Sequence, residues 1–159
     1  MGVRRHTNIV HLIDFGLSKQ FRDPNTHVHI PFKKGLSFTG TTTFTSINSH
    51  LSFELERRDD LESLTYILFY FIWGFLPWQG LSVEGQNILE SKQGITTLAL
   101  FHGLLLELHM LFEHSRSLSF EEKPNYDHFC HLFDELLVNE GFQGDVEFDW
   151  DHANTKDPE

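Results

Sequence analysis

Between Arg57 and Gly80 the chain passes from four consecutive charges, Arg57-Arg58-Asp59-Asp60, into a stretch where nearly every side chain from Leu64 to Trp73 is apolar or aromatic. A helix with no polar face left for water is either the centre of a core or a membrane span. A span needs about 20 apolar residues, and this run is well short of that. Asp59, Asp60 and Glu62 crowd its start, where the partial positive charge of a helix N-terminus favours carboxylates. Gly74 and Pro77 punctuate its end. The stretch is expected to be a helix buried on all sides, against which other helices pack.

Those other helices are legible downstream. A short one is expected near Gln86–Lys92, and another across Leu98–His114. There His102, Glu107 and His109 interrupt the leucines and phenylalanines, which fits a core helix rather than a span. From Asn125 to Asn139 the residues Tyr126, Phe129, Cys130, Phe133, Leu136 and Leu137 recur at three- and four-residue spacing, with Asn125 placed as N-cap after Pro124. Upstream, Ile9–Ile13 is a short β-type run that leads into Asp14-Phe15-Gly16. From Ser18 to Ser52 there is little helical period, and Pro24, Asn25, Pro31, Gly35 and Gly40 mark a long irregular segment. A loop beyond about 12–15 residues in a compact domain is usually functional or disordered. The tail from Asp151 is polar. The expectation is one mainly α domain, large enough at 159 residues to bury about 68–70% of its unfolded surface.

Charge narrows the function. Against 23 aspartates and glutamates there are 12 lysines and arginines, a net charge of −11, which argues against a nucleic-acid surface. Cys130 is the single cysteine, so no internal disulfide can form and a reducing compartment fits. Its expected place is that of a small buried hydrophobe on a helix. No apolar segment follows Arg4 and Arg5, so no secretory signal is read. The chain is expected to be intracellular, cytoplasmic or nuclear, with no membrane association. His27-Val28-His29 has the spacing of a strand pair facing one way, but no cysteine or second histidine cluster completes four metal ligands. Asp145, Glu147, Asp149 and Asp151 read as a solvated acidic face. Ser46 and Ser63 have no adjacent base to make either a nucleophile.

Several motifs occur together and in a recognisable order: Leu12 to Lys19 with Asp14-Phe15-Gly16, Arg22-Asp23, Thr26 to Phe32, Thr39-Gly40-Thr41, Ser46 to Leu51, Arg57 to Leu64, Leu76 to Leu81, Arg116-Ser117-Leu118, Lys123 to Tyr126 and Phe148-Asp149-Trp150. In this order and over roughly residues 1–151 they resemble the casein kinase I family of protein serine/threonine kinases. The most specific part is Ser46-Ile47-Asn48, where most kinases carry Ala-Pro-Glu, joined to Arg-Arg-Asp-Asp-Leu-Glu-Ser-Leu. The resemblance implies the helical C-terminal lobe of the kinase fold, with a short β remnant at the N-terminus, and a polar tail over 152–159. It implies that Asp14 is the residue that holds magnesium, and with it Mg-ATP. Phe15 and Gly16 would complete that motif, and residues 14–48 would form the activation segment. Thr41 resembles the threonine that bonds the catalytic loop, and Ser46 and Asn48 belong to the Ser-Ile-Asn signature. Asp60 resembles the central-helix aspartate that accepts backbone N–H groups from the catalytic loop. Arg116 resembles a buried arginine, which would need a hydrogen-bonded partner because unpaired charge is costly to bury.

The same comparison marks departures. No Gly-x-Gly-x-x-Gly and no His-Arg-Asp occurs in this sequence, and phosphoryl transfer depends on the positioning and charge neutralisation those parts supply jointly. Asp14 alone would hold a metal weakly. Gly40-Thr41-Thr42-Thr43-Phe44 lacks the basic residue that the family uses to bind anionic substrate, and Lys92 is the main remnant of a lysine-rich stretch. A hydroxyl in place of a guanidinium forfeits the bidentate contact that reads phosphate. Three readings stay open. The chain is the large lobe of a casein kinase I-like enzyme whose small lobe is missing, or a pseudokinase-like module that binds protein partners, or a truncated product without function. In each, phosphoryl transfer by this chain alone is not expected.

Overall fold

In the computed structural model, residues 10–81 and 86–142 are described. Arg4, Arg5, Ile9, the acidic residues from Asp145 to Asp151, Phe148-Asp149-Trp150 and the 152–159 tail lie outside them. The fold is mainly α. Among the described residues its helices are α1 (Ile47–His50), α2 (Arg57–Trp73), α3 (Gln86–Gly94), α4 (Thr97–Leu100), α5 (Leu106–Ser117) and α6 (Tyr126–Asn139), with a 3-10 turn at Phe15–Leu17 ahead of them. The described residues form two compact units: 10–18 with 130–142 make one, and those from Lys19 to Phe129 make the other.

The larger unit is built on α2, which starts and stops where its sequence directs. Glu56 is its N-cap, Asp59 completes a capping box, and Gly74 closes it in the left-handed region at φ 76°, where glycine carries no Cβ penalty. Expected burial on all sides is not what the structure gives. The buried positions are Asp59, Glu62, Thr65, Tyr66 and Phe69, spaced by three and four residues as one helix face requires. Phe71 is 74% exposed, and Ile72, Trp73 and Leu64 are exposed as well. The helices that α2 packs on within this unit are α5 and α1, and they cover a single stripe.

That stripe meets an aromatic core. Tyr66 is edge-on to Trp78 at 4.9 Å and tilted against Phe112 at 5.6 Å, while Phe101 lies between Phe69 and Phe112 at 5.9 and 5.2 Å. Leu108, Leu111, Phe112 and Leu118 bury the facing side of α5 and its C-terminus. The expected single helix over Leu98–His114 is instead two. Thr96 Oγ1 caps α4 by accepting from the Ala99 N–H at 3.2 Å, and Gly103 turns the chain at φ +77° before α5 begins. Asn125 caps α6 as expected, its Oδ1 accepting from the His128 N–H at 3.2 Å. Cys130 is exposed rather than buried. Phe129 takes the buried position, and the next residue points about 100° round the helix.

The segment from Ser18 to Thr45 is irregular, as its composition requires, but the expected loop ends early because Ser46 caps α1 within it. The segment carries isolated antiparallel bridges at Arg22↔His29 and Lys34↔Phe53. Residues 10–13 form no strand, so the expected β remnant is absent among the described residues. His27 and His29 do not share a strand face either. Asp23 Oδ1 accepts from the Asn25 and Thr26 N–H groups at 2.9 and 2.7 Å, closing a turn that forces His27 to φ 58°.

Candidate functional site

The most connected polar site lies where α1 meets the N-terminal half of α2. Ser46, fully buried, caps α1 through Oγ, which accepts from the Ser49 N–H at 3.2 Å. Ile47 N–H donates to Glu62 Oε1 at 3.1 Å, and Asn48 Nδ2 donates to Asp59 Oδ1 at 2.9 Å. Asp59 Oδ2 accepts from the Glu56 N–H at 2.9 Å. Glu56 itself receives Arg57 Nε at 2.8 Å and faces His29 Nε2 at 2.8 Å. The Tyr66 hydroxyl donates to Glu62 at 2.7 Å. Burial pushes the Glu62 carboxyl above its ordinary value, and the Tyr66 and Ile47 donors and the charge of Arg116 oppose that shift. Three buried carboxylates are thereby each matched to donors, as buried charge requires. Their chemistry is that of a joint, because every oxygen that meets α1 is already engaged by the fold.

A second polar cluster sits under the turn that precedes α1. Lys92, on α3, is fully buried. Its Nζ donates to the Thr42 carbonyl at 2.9 Å and the Thr45 carbonyl at 2.6 Å, and lies 3.2 Å from His50 Nε2. The rings of Tyr66 and Trp78 close the space, with centroids 4.9 and 5.2 Å from the ammonium. Trp78 Nε1 donates to the Thr43 carbonyl at 2.7 Å. Burial pushes the Lys92 amine down to about 7, opposed by the negative charge of Glu62.

The residues singled out by sequence are dispersed between these places. Asp14, Phe15 and Gly16 belong to the smaller unit and are exposed. Asp14 stands in the left-handed region at φ 61° as N-cap of the 3-10 turn, its Oδ1 accepting from the Gly16 N–H at 3.4 Å. Ser46 and Asn48 lie in the α1–α2 joint. Thr41 is exposed, and its carbonyl accepts from the Phe44 and Thr45 N–H groups. Asp60, next to the joint, is exposed and accepts no hydrogen bond from another described residue. Its carboxyl is held above the ordinary value by partial desolvation, then by the charges of Asp59 and Glu56. Arg57 and Arg58 turn instead to the Glu121 and Leu118 carbonyls, at 3.1 and 2.5 Å.

Two expectations need correcting. Arg116 is not buried: it is exposed, with its guanidinium over the Phe112 ring at 5.2 Å. Water satisfies the donors that a buried guanidinium would have to pair. Lys92 is not a surface remnant for anionic substrate, because its three donors point inward. The residues missed from sequence are Glu56, Glu62 and Asp59 as joint-formers. Asp59 and Glu62 are spaced to share a face with Tyr66 and Phe69, which is the signal that would have found them. Nothing local marks Lys92 for burial.

Of the residues that the resemblance implies for Mg-ATP, Asp14 is the one that would hold the metal. Among the described residues no three His, Cys, Asp or Glu side chains converge, and a metal held by Asp14 alone would be weak. No helix among the described residues is long and apolar enough to cross a membrane. No protein-family model matches the chain.

Proposed function

We propose that this chain is a helical scaffold related to the large lobe of casein kinase I-type protein serine/threonine kinases, and that it transfers no phosphate by itself. The observation that carries this reading is the α1–α2 joint. The two stretches most specific to the likeness, Ser46-Ile47-Asn48 and Arg57 to Leu64, meet through Asn48–Asp59 and Ile47–Glu62. A signature split over two segments has a physical reason to occur together when the segments bond each other. The missing activity follows from the missing parts: the sequence has neither a Gly-rich phosphate cover nor a His-Arg-Asp loop, and electrostatic preorganisation cannot act without its donors. Incubation of the purified chain with casein and Mg-ATP should give no labelling, and Mg-ATP should not shift its melting temperature. Casein labelling that Asp14→Ala abolishes would overturn this reading.

A second reading, a module that binds protein partners or a separate small lobe, is favoured by one observation. Phe71, Ile72, Trp73 and Phe75 are exposed in sequence continuity at the end of α2, and apolar clusters of that kind mark association surfaces.

A further inference from the structure

Buried lysines usually find a carboxylate. Lys92 does not: its nearest negative charge, Glu62, is occupied by Tyr66 and Ile47, and its hydrogen-bond neighbours are two carbonyls and an imidazole. An ammonium has three N–H donors, and here each has one acceptor. Two are fixed by the Thr42 and Thr45 carbonyls, which can only accept. The third faces His50 Nε2, and that nitrogen also lies 3.1 Å from the Thr42 carbonyl and 3.3 Å from Thr45 Oγ1. Two nitrogens 3.2 Å apart have room for one hydrogen between them. With two, they would repel.

We propose that Lys92 and His50 hold a single hydrogen on their Nζ–Nε2 axis, and that the pair is a proton-gated clasp fastening the 41–45 turn to α1 and α3. Two closed states keep one hydrogen on that axis. In one, neutral Lys92 donates to the two carbonyls and accepts from His50 Nε2–H. In the other, Lys92 has taken a proton, donates along the axis, and His50 carries its hydrogen on Nδ1. Proton uptake by the amine therefore moves the imidazole from one tautomer to the other without opening the turn. A further proton on the imidazole puts two cations against each other, with no carboxylate between them.

The surroundings support that limit. The turn contributes Thr42, Thr43 and Thr45, which carry no charge. From α1 comes His50 itself, and from α2 come Tyr66 and the occupied Glu62, beyond which lies Arg116 of α5. Trp78 adds an aromatic face. Burial, and then the Lys92 charge, push His50 below its ordinary value. Both bases are lowered in the closed form, so the open form binds more protons and acid favours opening.

The test is nitrogen NMR of the full chain, combined with amide exchange. Between about pH 9 and 6, the His50 ring is expected to pass from the Nε2–H to the Nδ1–H tautomer together with the titration of Lys92. Below about pH 6, the Phe44 and Thr45 amides, which donate to the Thr41 carbonyl, should lose roughly tenfold in protection after correction for intrinsic exchange. His50→Gln should remove that acid loss, and Lys92→Met should lower protection of both amides at every pH. A single His50 tautomer throughout would overturn the clasp, and so would an equal acid loss in His50→Gln. If either variant fails to fold, the tautomer titration of the unaltered chain decides.

Discussion

Asp59 and Asp60 are neighbours of identical chemistry, and α2 gives them opposite circumstances. Asp59 accepts from Asn48 and from the Glu56 N–H, so removing it strands two donors and the capping box together. Asp59→Ala should cost about 2–3 kcal/mol in chemical denaturation, the sum expected of a lost cap and an unsatisfied buried amide. Asp60 is exposed, and its raised carboxyl means that folding favours its protonated form. Its ionised form is therefore slightly unfavourable to the fold above its ordinary value. Asp60→Asn should leave stability at neutral pH unchanged or slightly higher, and a loss as large as that of Asp59→Ala would mean Asp60 has a structural partner. At this scale Asn125 as a cap was legible, because a cap depends on local spacing. The bonds of Ile47 and Asn48 to Glu62 and Asp59 were not, because they join residues 15 and 11 positions apart. Nor was the burial of Lys92. It arises from residues at 42, 45, 50, 66 and 78 that come together only in the fold.

Among the elements, α2 shows how far local pattern reaches. Its ends were readable from Asp59, Asp60 and Gly74, since caps and charges act within one turn. Its buried face was not, because a run that is apolar at every position carries no phase. The break between α4 and α5 had a signal in Gly103, overridden in the sequence reading by the leucines on either side. Two turn glycines distinguish conformational from steric demand. Gly74 sits at φ 76° with nothing within 4 Å of where a Cβ would be, whereas Gly40 sits at φ 105° and its Cβ would meet Thr45 Cγ2 at 2.7 Å. Gly74→Ala should lower stability by about 1 kcal/mol, the left-handed penalty alone. Gly40→Ala should cost roughly 2–3 kcal/mol, because Thr45 must rotate and give up its 3.3 Å approach to His50 in addition to that penalty. Paired thermal melts decide the order, and equal losses would show that Thr45 is free to move.

At the scale of the whole molecule, charge and apolar exposure oppose each other. The net charge of −11 repels a second copy, while Phe71, Ile72, Trp73 and Phe75 offer it an apolar surface. Repulsion acts through a Debye length of about 10 Å at 0.1 M salt and about 3 Å at 1 M, whereas burial of apolar surface is not screened and sulfate strengthens it. The balance should therefore tip with ionic strength. Sedimentation velocity should show a monomer at low salt and growing association near 1 M sodium sulfate. Phe71→Glu with Trp73→Glu should keep the chain monomeric there, since the pair adds charge and removes exposed aromatic area without touching the buried stripe of α2. A mass independent of salt would show that the patch is too small to drive association. A double variant that still associates would move the contact elsewhere on the surface. The sign of this balance was already written in the composition. The place where it is decided depends on which side of α2 the rest of the unit leaves uncovered, and that is a property of the packing.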